Sequence, residues 1–316
     1  MLPFVAKRYG AVLPSMAALS GAAAAMATQR EENGGVVPRF LIPEMQAEAA
    51  QPKGALNPNE FKPFKVIEKE NVTKNTVHLR FELPNNQVSG LNVASCLVTR
   101  GLIKENPDDV NAKAVVRPYT PTTPPDTRGH LDLIVKVYPT GKMSKLIGNL
   151  NVGDTLEMKG PIPKYPYSPN CKKNIGMVAG GTGLTPMLQV IDAVLANPED
   201  KTKLTLVYAN QTPGDIILKD RLDALAAQHP DRFSVHYVVD RPGWLGMFWK
   251  GSVGYITKDL LKQHMPAPDK DNLVMVCGPP PMMEAISGNK DKNFQQGELK
   301  GALKDIGYDE SMVYKF

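Results

Sequence analysis

The segment Ala179-Gly180-Gly181-Thr182-Gly183-Leu184-Thr185-Pro186-Met187 joins an apolar run to a stretch with helical spacing. Glycines there let the chain turn tightly and let a ligand approach the backbone. The N–H groups and dipole at the start of the following helix favour a phosphate. The spacing Gly181-x-Gly183-x-x-Pro186 has proline where the usual dinucleotide fingerprint carries its third glycine, so a plain strand-to-helix turn would read the same way. A second apolar run, Val274-Met275-Val276-Cys277, ends in Gly278-Pro279-Pro280-Pro281-Met282, and Asp240 closes a third. Ligands of open parallel sheets bind outside the carboxyl ends of the strands, so these three ends outline one crevice. An acid at Asp240 can hydrogen-bond an adenosine ribose and repel a 2′-phosphate, whereas Arg241 beside it can accommodate that phosphate.

Nearer the N-terminus, Arg117-Pro118-Tyr119-Thr120-Pro121 closes one strand-like run and Gly141-Lys142-Met143-Ser144 follows another. An Arg and a Lys beside a backbone turn can neutralise a pyrophosphate, and Tyr119 can stack on an aromatic ring. Cys96, Cys171 and Cys277 are widely spaced, and no C-x-x-C occurs. The five histidines form no ligand cluster with them, so no metal site is expected and any redox chemistry needs an organic cofactor. Unpaired, scattered cysteines fit a reducing compartment.

Two kinds of element must position these residues. Between residues 61 and 160 the hydrophobic period is two: residues 64–69, 76–81, 96–99, 114–116, 131–138 and 155–158 read as strands separated by Pro, Asn, Asp and Gly turns. Six short strands with almost no helix predict a small antiparallel barrel over 60–160. Prolines 161, 163, 166 and 169 make a stiff connector over 161–172. Over 173–316 strands (175–179, 204–209, 233–239, 273–276) alternate with helices (184–195, 215–228), which predicts an open parallel sheet covered on both faces.

The chain has 316 residues, 42% hydrophobic and 22% charged, enough for two ordinary folded domains. Of its net charge of +5, Lys7, Arg8 and Arg30 lie in a first stretch of 30 residues that holds no acid, and the +2 left for the remainder does not point to a nucleic-acid binder. Residues 1–35 are Ala- and Ser-containing, basic and free of acid up to Glu31, the composition of a mitochondrial presequence. Residues 9–29 carry no charge and are long enough to span a bilayer, so a membrane anchor through residues 1–30 is the competing reading. Residues 36–59 read as a linker. Nothing in the pattern calls for an obligate oligomer, and a monomer is expected.

The ordered series R-P-Y-T-P, L-I-V-K-V-Y, G-K-M-S, A-G-G-T-G-L-T-P-M, Y-A-N-Q-T, V-V-D-R, G-Y-I and C-G-P-P-P-M resembles the NADH–cytochrome b5 reductase family. The resemblance covers roughly residues 60–316, and residues 282–288 and 307–316 look closer to the mitochondrial forms of plants and fungi. It implies a two-domain β plus α/β fold: a six-stranded antiparallel FAD-binding barrel, then an open parallel-sheet NADH-binding domain. Hydride would pass from NADH to flavin N5, and single electrons then to the haem of cytochrome b5 or a similar one-electron acceptor. The resemblance implies that Arg117, Pro118, Tyr119, Thr120, Ile134, Lys136, Tyr138, Gly141, Lys142, Met143, Ser144 and Thr185 serve FAD. Gly181, Thr182, Asp240, Tyr255, Cys277, Gly278, Pro279 and Met282 would serve NADH, with Thr120 and Cys277 nearest the chemistry. Lys142, Lys172 and Lys173 would form a basic rim for acidic cytochrome b5. The implied location is the mitochondrial outer membrane or intermembrane space, with the endoplasmic-reticulum surface as the alternative. Many family members carry G-Q-H, its histidine proposed to take a proton, where this chain has Ala94-Ser95-Cys96. Ser95, Cys96 or solvent would take that part, or the relay is not essential. A ferredoxin-reductase-like enzyme using NADPH and a non-catalytic nucleotide-sensing protein are the rival readings.

Overall fold

The computed structural model describes residues 54–104 and 111–316; the predicted presequence or anchor lies outside them. Six strands, β1 (Lys62–Thr73), β2 (Thr76–Glu82), β3 (Ser95–Ile103), β4 (Lys113–Tyr119), β5 (His130–Lys136) and β6 (Thr155–Pro163), form one antiparallel sheet in the order β4-β3-β6-β1-β2-β5. Alternate residues such as Phe64 and Val66, Leu79 and Phe81, and Leu131, Leu133 and Val135 point inward and make one apolar core. The two edges meet beyond β4, where the Thr122 N–H donates to the Asp132 carbonyl at 3.0 Å and the Asp132 N–H to Thr123 Oγ1 at 3.2 Å. The expected strand over 131–138 stops at Lys136. The Val137 N–H turns to the Asn75 carbonyl, and the chain then enters α1 (Lys142–Asn149). Gly141-Lys142-Met143-Ser144 is therefore the first turn of a helix, an element that period-two reading of this half did not anticipate.

The second half is wholly parallel, in the order β10-β9-β8-β7-β11-β12, where β7 is Asn174–Gly180, β8 Lys203–Asn210, β9 Phe233–Val239, β10 Ser252–Val253, β11 Asn272–Cys277 and β12 Val313–Lys315. Met177 and Ala179 of β7 pack on one side beneath α2 (Leu184–Ala196) and α3 (Lys219–Gln228). Val178 packs on the other beneath α4 (Lys258–His264), α5 (Pro280–Ile286) and α6 (Gly301–Asp305). The helix expected over 215–228 begins only at Lys219, because Leu218 takes a left-handed φ of 57°. The buried Asp215 meanwhile closes a turn by accepting from Thr212 Oγ1 at 2.6 Å. Chain order reverses between β7 and β11, which is where such a sheet opens a crevice. Among the described residues no helix is long and apolar enough to cross a membrane.

The outer face of β5 is polar and held by charge. Arg80 grips Asp132 through two bonds, 2.8 and 2.9 Å, while His78 Nε2 lies 3.2 Å from the same carboxylate and Glu68 3.1 Å from Arg80. Burial by itself raises the Asp132 carboxyl, but the bonds from Arg80 and His78 outweigh it and hold it down at about 2. A folded-state value below the ordinary 3.8 stabilises the fold above that pH, and the contribution is lost as pH falls toward 2. Asp132→Asn is expected to cost roughly 2.5 kcal/mol at neutral pH and to flatten the acid limb of stability between about pH 4 and pH 2. Urea titrations of both proteins across that range check it; parallel pH profiles would refute the role assigned to the pair.

Candidate nucleotide and flavin site

The carboxyl ends of β7 and β11 are locked together by their glycines. A methyl group on Gly183 would lie 2.1 Å from the Cys277 carbonyl oxygen. One on Gly278 would lie 2.4 Å from Met282 Cε, and one on Gly180 2.7 Å from Met282 Sδ. Gly181 is different: its φ is +54° and a methyl there would meet no protein atom within 4 Å. Its backbone faces open space, as close approach by a ligand requires. The fully buried Tyr208 fixes it from below, donating to the Gly181 carbonyl at 3.0 Å.

A crevice of about 330 Å³ opens there. It gathers Gly181, Asp240, Tyr255, Pro279 and Met282 from the parallel-sheet half with Lys136 and Tyr138 from the barrel half. Asp240 is anchored by its N–H to the Asn210 carbonyl at 3.1 Å, and Arg241, which does not line the crevice, by its N–H to the Gln211 carbonyl at 2.9 Å. Tyr255, on the rim, is 83% exposed. Tyr138 accepts a hydrogen bond from Thr182, and burial raises its phenol against that bond. Thr185 turns back to donate to the Thr182 carbonyl at 3.1 Å. Cys277 is half-buried by area yet walled by protein, and burial pushes its thiol up to about 12 against a smaller pull from Lys290. Near neutrality it is a neutral thiol, not a nucleophile.

The remaining expected residues gather around β4, β5 and α1. Tyr119 and Thr120 are half-buried at the end of β4, and Arg117 and Pro118 are exposed on it. Burial pushes the Tyr119 phenol up to about 12, Arg117 opposing. The Arg117 guanidinium donates to its neighbour's carbonyl, Val116 O, at 2.8 Å, so its charge is not consumed by a carboxylate. Ile134 lies on the outer face of β5, beside the turn Gly181–Gly183. Met143 is buried in the barrel core, so any ligand role belongs to its backbone N–H. Ser144 accepts from the Tyr138 N–H at 3.2 Å and donates to the Gly141 carbonyl at 3.3 Å. A methyl on Gly141 would lie 2.2 Å from that hydroxyl. The first turn of α1 has no side-chain cap, which leaves its leading N–H groups to an anion.

Sequence reasoning missed Asn210, Gln211 and Tyr208. Asn210 and Gln211 line the crevice at the carboxyl end of β8, the rule that singled out Asp240. The Asn210 amide is buried beside the Tyr208 hydroxyl, which burial pushes up and the amide draws down. Lys172 and Lys173 are not brought to the site. They stand at the amino end of β7, opposite the crevice, Lys172 donating to the Lys270 carbonyl and Lys173 paired with Asp271 at 2.6 Å. Among the described residues no His, Cys, Asp or Glu cluster could hold a metal ion.

The family comparisons fit this geometry. Residues 63–167 match the oxidoreductase FAD-binding domain family and residues 177–288 the oxidoreductase NAD-binding domain family. The chain is 51% identical to the NADH-cytochrome b5 reductase-like protein of Arabidopsis thaliana, over 85% of this chain and 80% of that one. The chain belongs to the NADH–cytochrome b5 reductase family. NADH-cytochrome b5 reductase 2 of Yarrowia lipolytica is 47% identical over 80% of this chain and 84% of its own. The cytochrome b5 reductase domain of Ulva prolifera nitrate reductase superposes with a TM-score of 0.72 at 37% identity, over 83% of this chain and 99% of that one. This reductase is an NADH-dependent, FAD-containing oxidoreductase: the barrel binds FAD, the parallel-sheet half binds NADH, and hydride passes between them.

The two central glycines separate by experiment. Gly183→Ala is expected to disrupt the seam itself, because its methyl meets backbone. Gly181→Ala is expected to fold, with about 1 kcal/mol of left-handed strain, and to weaken NADH binding about tenfold, ~1.4 kcal/mol. Melting curves and NADH titrations check both; undiminished NADH affinity in Gly181→Ala would show that the ligand does not approach this backbone.

Proposed function

We propose that this reductase delivers its electrons to cytochrome b5, holding NADH across the β7/β11 crevice and FAD against β4, β5 and the start of α1. The observation that carries this reading is that both halves line one crevice: Lys136 and Tyr138 face Gly181, Asp240 and Tyr255 across it. A nucleotide seated there reaches the barrel. Bound FAD supplies the chemistry, taking two electrons as hydride and releasing them singly. Arg117 and the first-turn N–H groups of α1 bind the FAD pyrophosphate, while Tyr119 and Thr120 hold the flavin, Thr120 near its N5. Asp240 accepts from the NADH ribose, Tyr255 stacks on the base, and Lys136 neutralises NADH phosphate. Cys277, as a neutral thiol, packs against the nicotinamide and orients it. Solvent serves for the proton, since the Cys96 thiol is buried and raised by burial while Ser95 Oγ already donates to the Asn92 carbonyl at 2.5 Å. The composition of residues 1–35 supports mitochondrial targeting, with the outer membrane or intermembrane space as destination.

Asp240, not Arg241, faces the crevice, which favours NADH over NADPH. Asp240→Ala should cut the ratio of kcat/KM for NADH to that for NADPH at least about tenfold; an unchanged ratio would remove Asp240 from cofactor selection.

Lys142 and Lys145, exposed at the start of α1 beside the end of β5, replace Lys172 and Lys173 as the basic rim for an acidic cytochrome. Lys145→Glu should raise the KM for cytochrome b5 several-fold at low salt, with the difference shrinking at high salt, and should spare NADH-driven ferricyanide reduction. Steady-state rates with both acceptors check it, and an unchanged KM for the cytochrome would place docking elsewhere.

A further inference from the structure

Gln189 sits on α2 four residues after Thr185, hence on the same face of the helix, and is 4% exposed. Its side chain does not bond within its own domain. Its Oε1 accepts from the Ser95 N–H and its Nε2 donates to the Pro121 carbonyl, each at 3.2 Å. In the antiparallel register Leu97 faces Tyr119, so two residues further on Ser95 faces Pro121. The carboxamide is therefore inserted between two facing residues just where the ladder gives out, and replaces a missing rung. Both groups it satisfies are backbone, and Pro121 directly follows Thr120 of the flavin-holding segment. At the start of the same helix, Thr185 and Thr182 belong to the turn that faces the crevice and meets Tyr138.

We propose that Gln189 is a positioning residue for hydride transfer, fixing the Thr120–Pro121 segment of the barrel relative to the Gly181–Gly183 turn. It deepens the assignment of FAD to the barrel and NADH to the parallel-sheet half. A rigid helix with one end at the nicotinamide side and a buried amide in the flavin side sets the approach distance between the two ligands. Hydride transfer depends steeply on that distance, and a misplacement of about 1 Å can cost about 100-fold. An apolar side chain of the same length leaves the Ser95 N–H and the Pro121 carbonyl without partners and lets the two halves shift. A carboxylate accepts from Ser95 but opposes the Pro121 carbonyl; a protonated carboxyl, accepting through one oxygen and donating through the other, restores both bonds.

The test uses the full-length, FAD-loaded protein as wild type, Gln189→Met and Gln189→Glu. FAD content and NADH affinity are measured separately from the limiting rate of flavin reduction in anaerobic stopped flow. Expected in Gln189→Met are full FAD occupancy, NADH affinity within about threefold of wild type, and a limiting rate at least about tenfold lower. The long-wavelength absorbance of nicotinamide stacked on flavin should weaken, and the Ser95 amide should lose its hydrogen-exchange protection. In Gln189→Glu the limiting rate should rise toward wild type as pH falls through the carboxyl's titration, a dependence that wild type and Gln189→Met lack. A Gln189→Met rate and stacking band within twofold of wild type would overturn the proposal. So would a pH-independent Gln189→Glu, or failure of both variants to retain FAD, which would make Gln189 a folding residue of the barrel. Loss of NADH affinity alone, at an unchanged limiting rate, would instead count against the placement of the nucleotide.

Discussion

Between Gly183 and the carbonyl of Cys277 there is no room for a methyl group, and the backs of Gly180 and Gly278 both rest on Met282. Two strand ends that chain order separates by almost a hundred residues are thereby held at backbone contact. Everything else at the site inherits its position from that contact. Because Gly183 cannot move outward, α2 starts directly beside the β11 turn. Because Gly181 must then bulge at a positive φ, its carbonyl drops to Tyr208 and its backbone turns to the crevice. The Gly/Pro richness of both turns follows from the closeness of their approach as much as from any ligand.

β5 carries the consequence across to the barrel, and its period of two lets it do two jobs. Leu131, Leu133 and Val135 fill the barrel core, while Asp132, Ile134 and Lys136 point the other way. Asp132 ties that face to Arg80 and His78, which sets the height of the strand; Ile134 and Lys136 then meet the glycine turn. A slip of one residue would send Lys136 into the core and Val135 to the crevice, so the ion pair and the apolar core enforce the same register.

Periodicity showed the two-layer plan: six antiparallel strands, then a parallel sheet with helices on both faces. Where it failed, local geometry won over pattern. Ile134 to Tyr138 looks like continuous strand, yet the chain leaves at Lys136 because Asn75 captures the next N–H. Residues 215–218 look helical, yet Asp215 bonds back to Thr212 and Leu218 turns left-handed. The strand-end rule found Asp240 and the two glycine turns, and applied to β8 it would also have found Asn210 and Gln211. It could not exclude Lys172 and Lys173, since nearness to a domain junction in sequence does not say which end of a strand faces the ligand. Nor could it find Gln189: a glutamine inside an apolar helix reads as a tolerated polar residue until its partners on another domain are known.

The groups that line the crevice are mostly unable to titrate near neutrality. Tyr138 is raised and Asn210 and Gln211 are amides; behind the lining Cys277 is held neutral by burial, and the barrel's Tyr119 is raised as well. Charge along the crevice is confined to Asp240 and Lys136. Such a site is badly made for acid–base catalysis and well made for hydride transfer, in which the proton and both electrons travel together and no side chain has to give or take either. What the protein must supply is distance and angle. Glycine contacts, a charged clamp on β5 and an amide bridging two domains are devices of that kind, because each fixes backbone against backbone without adding a reactive group.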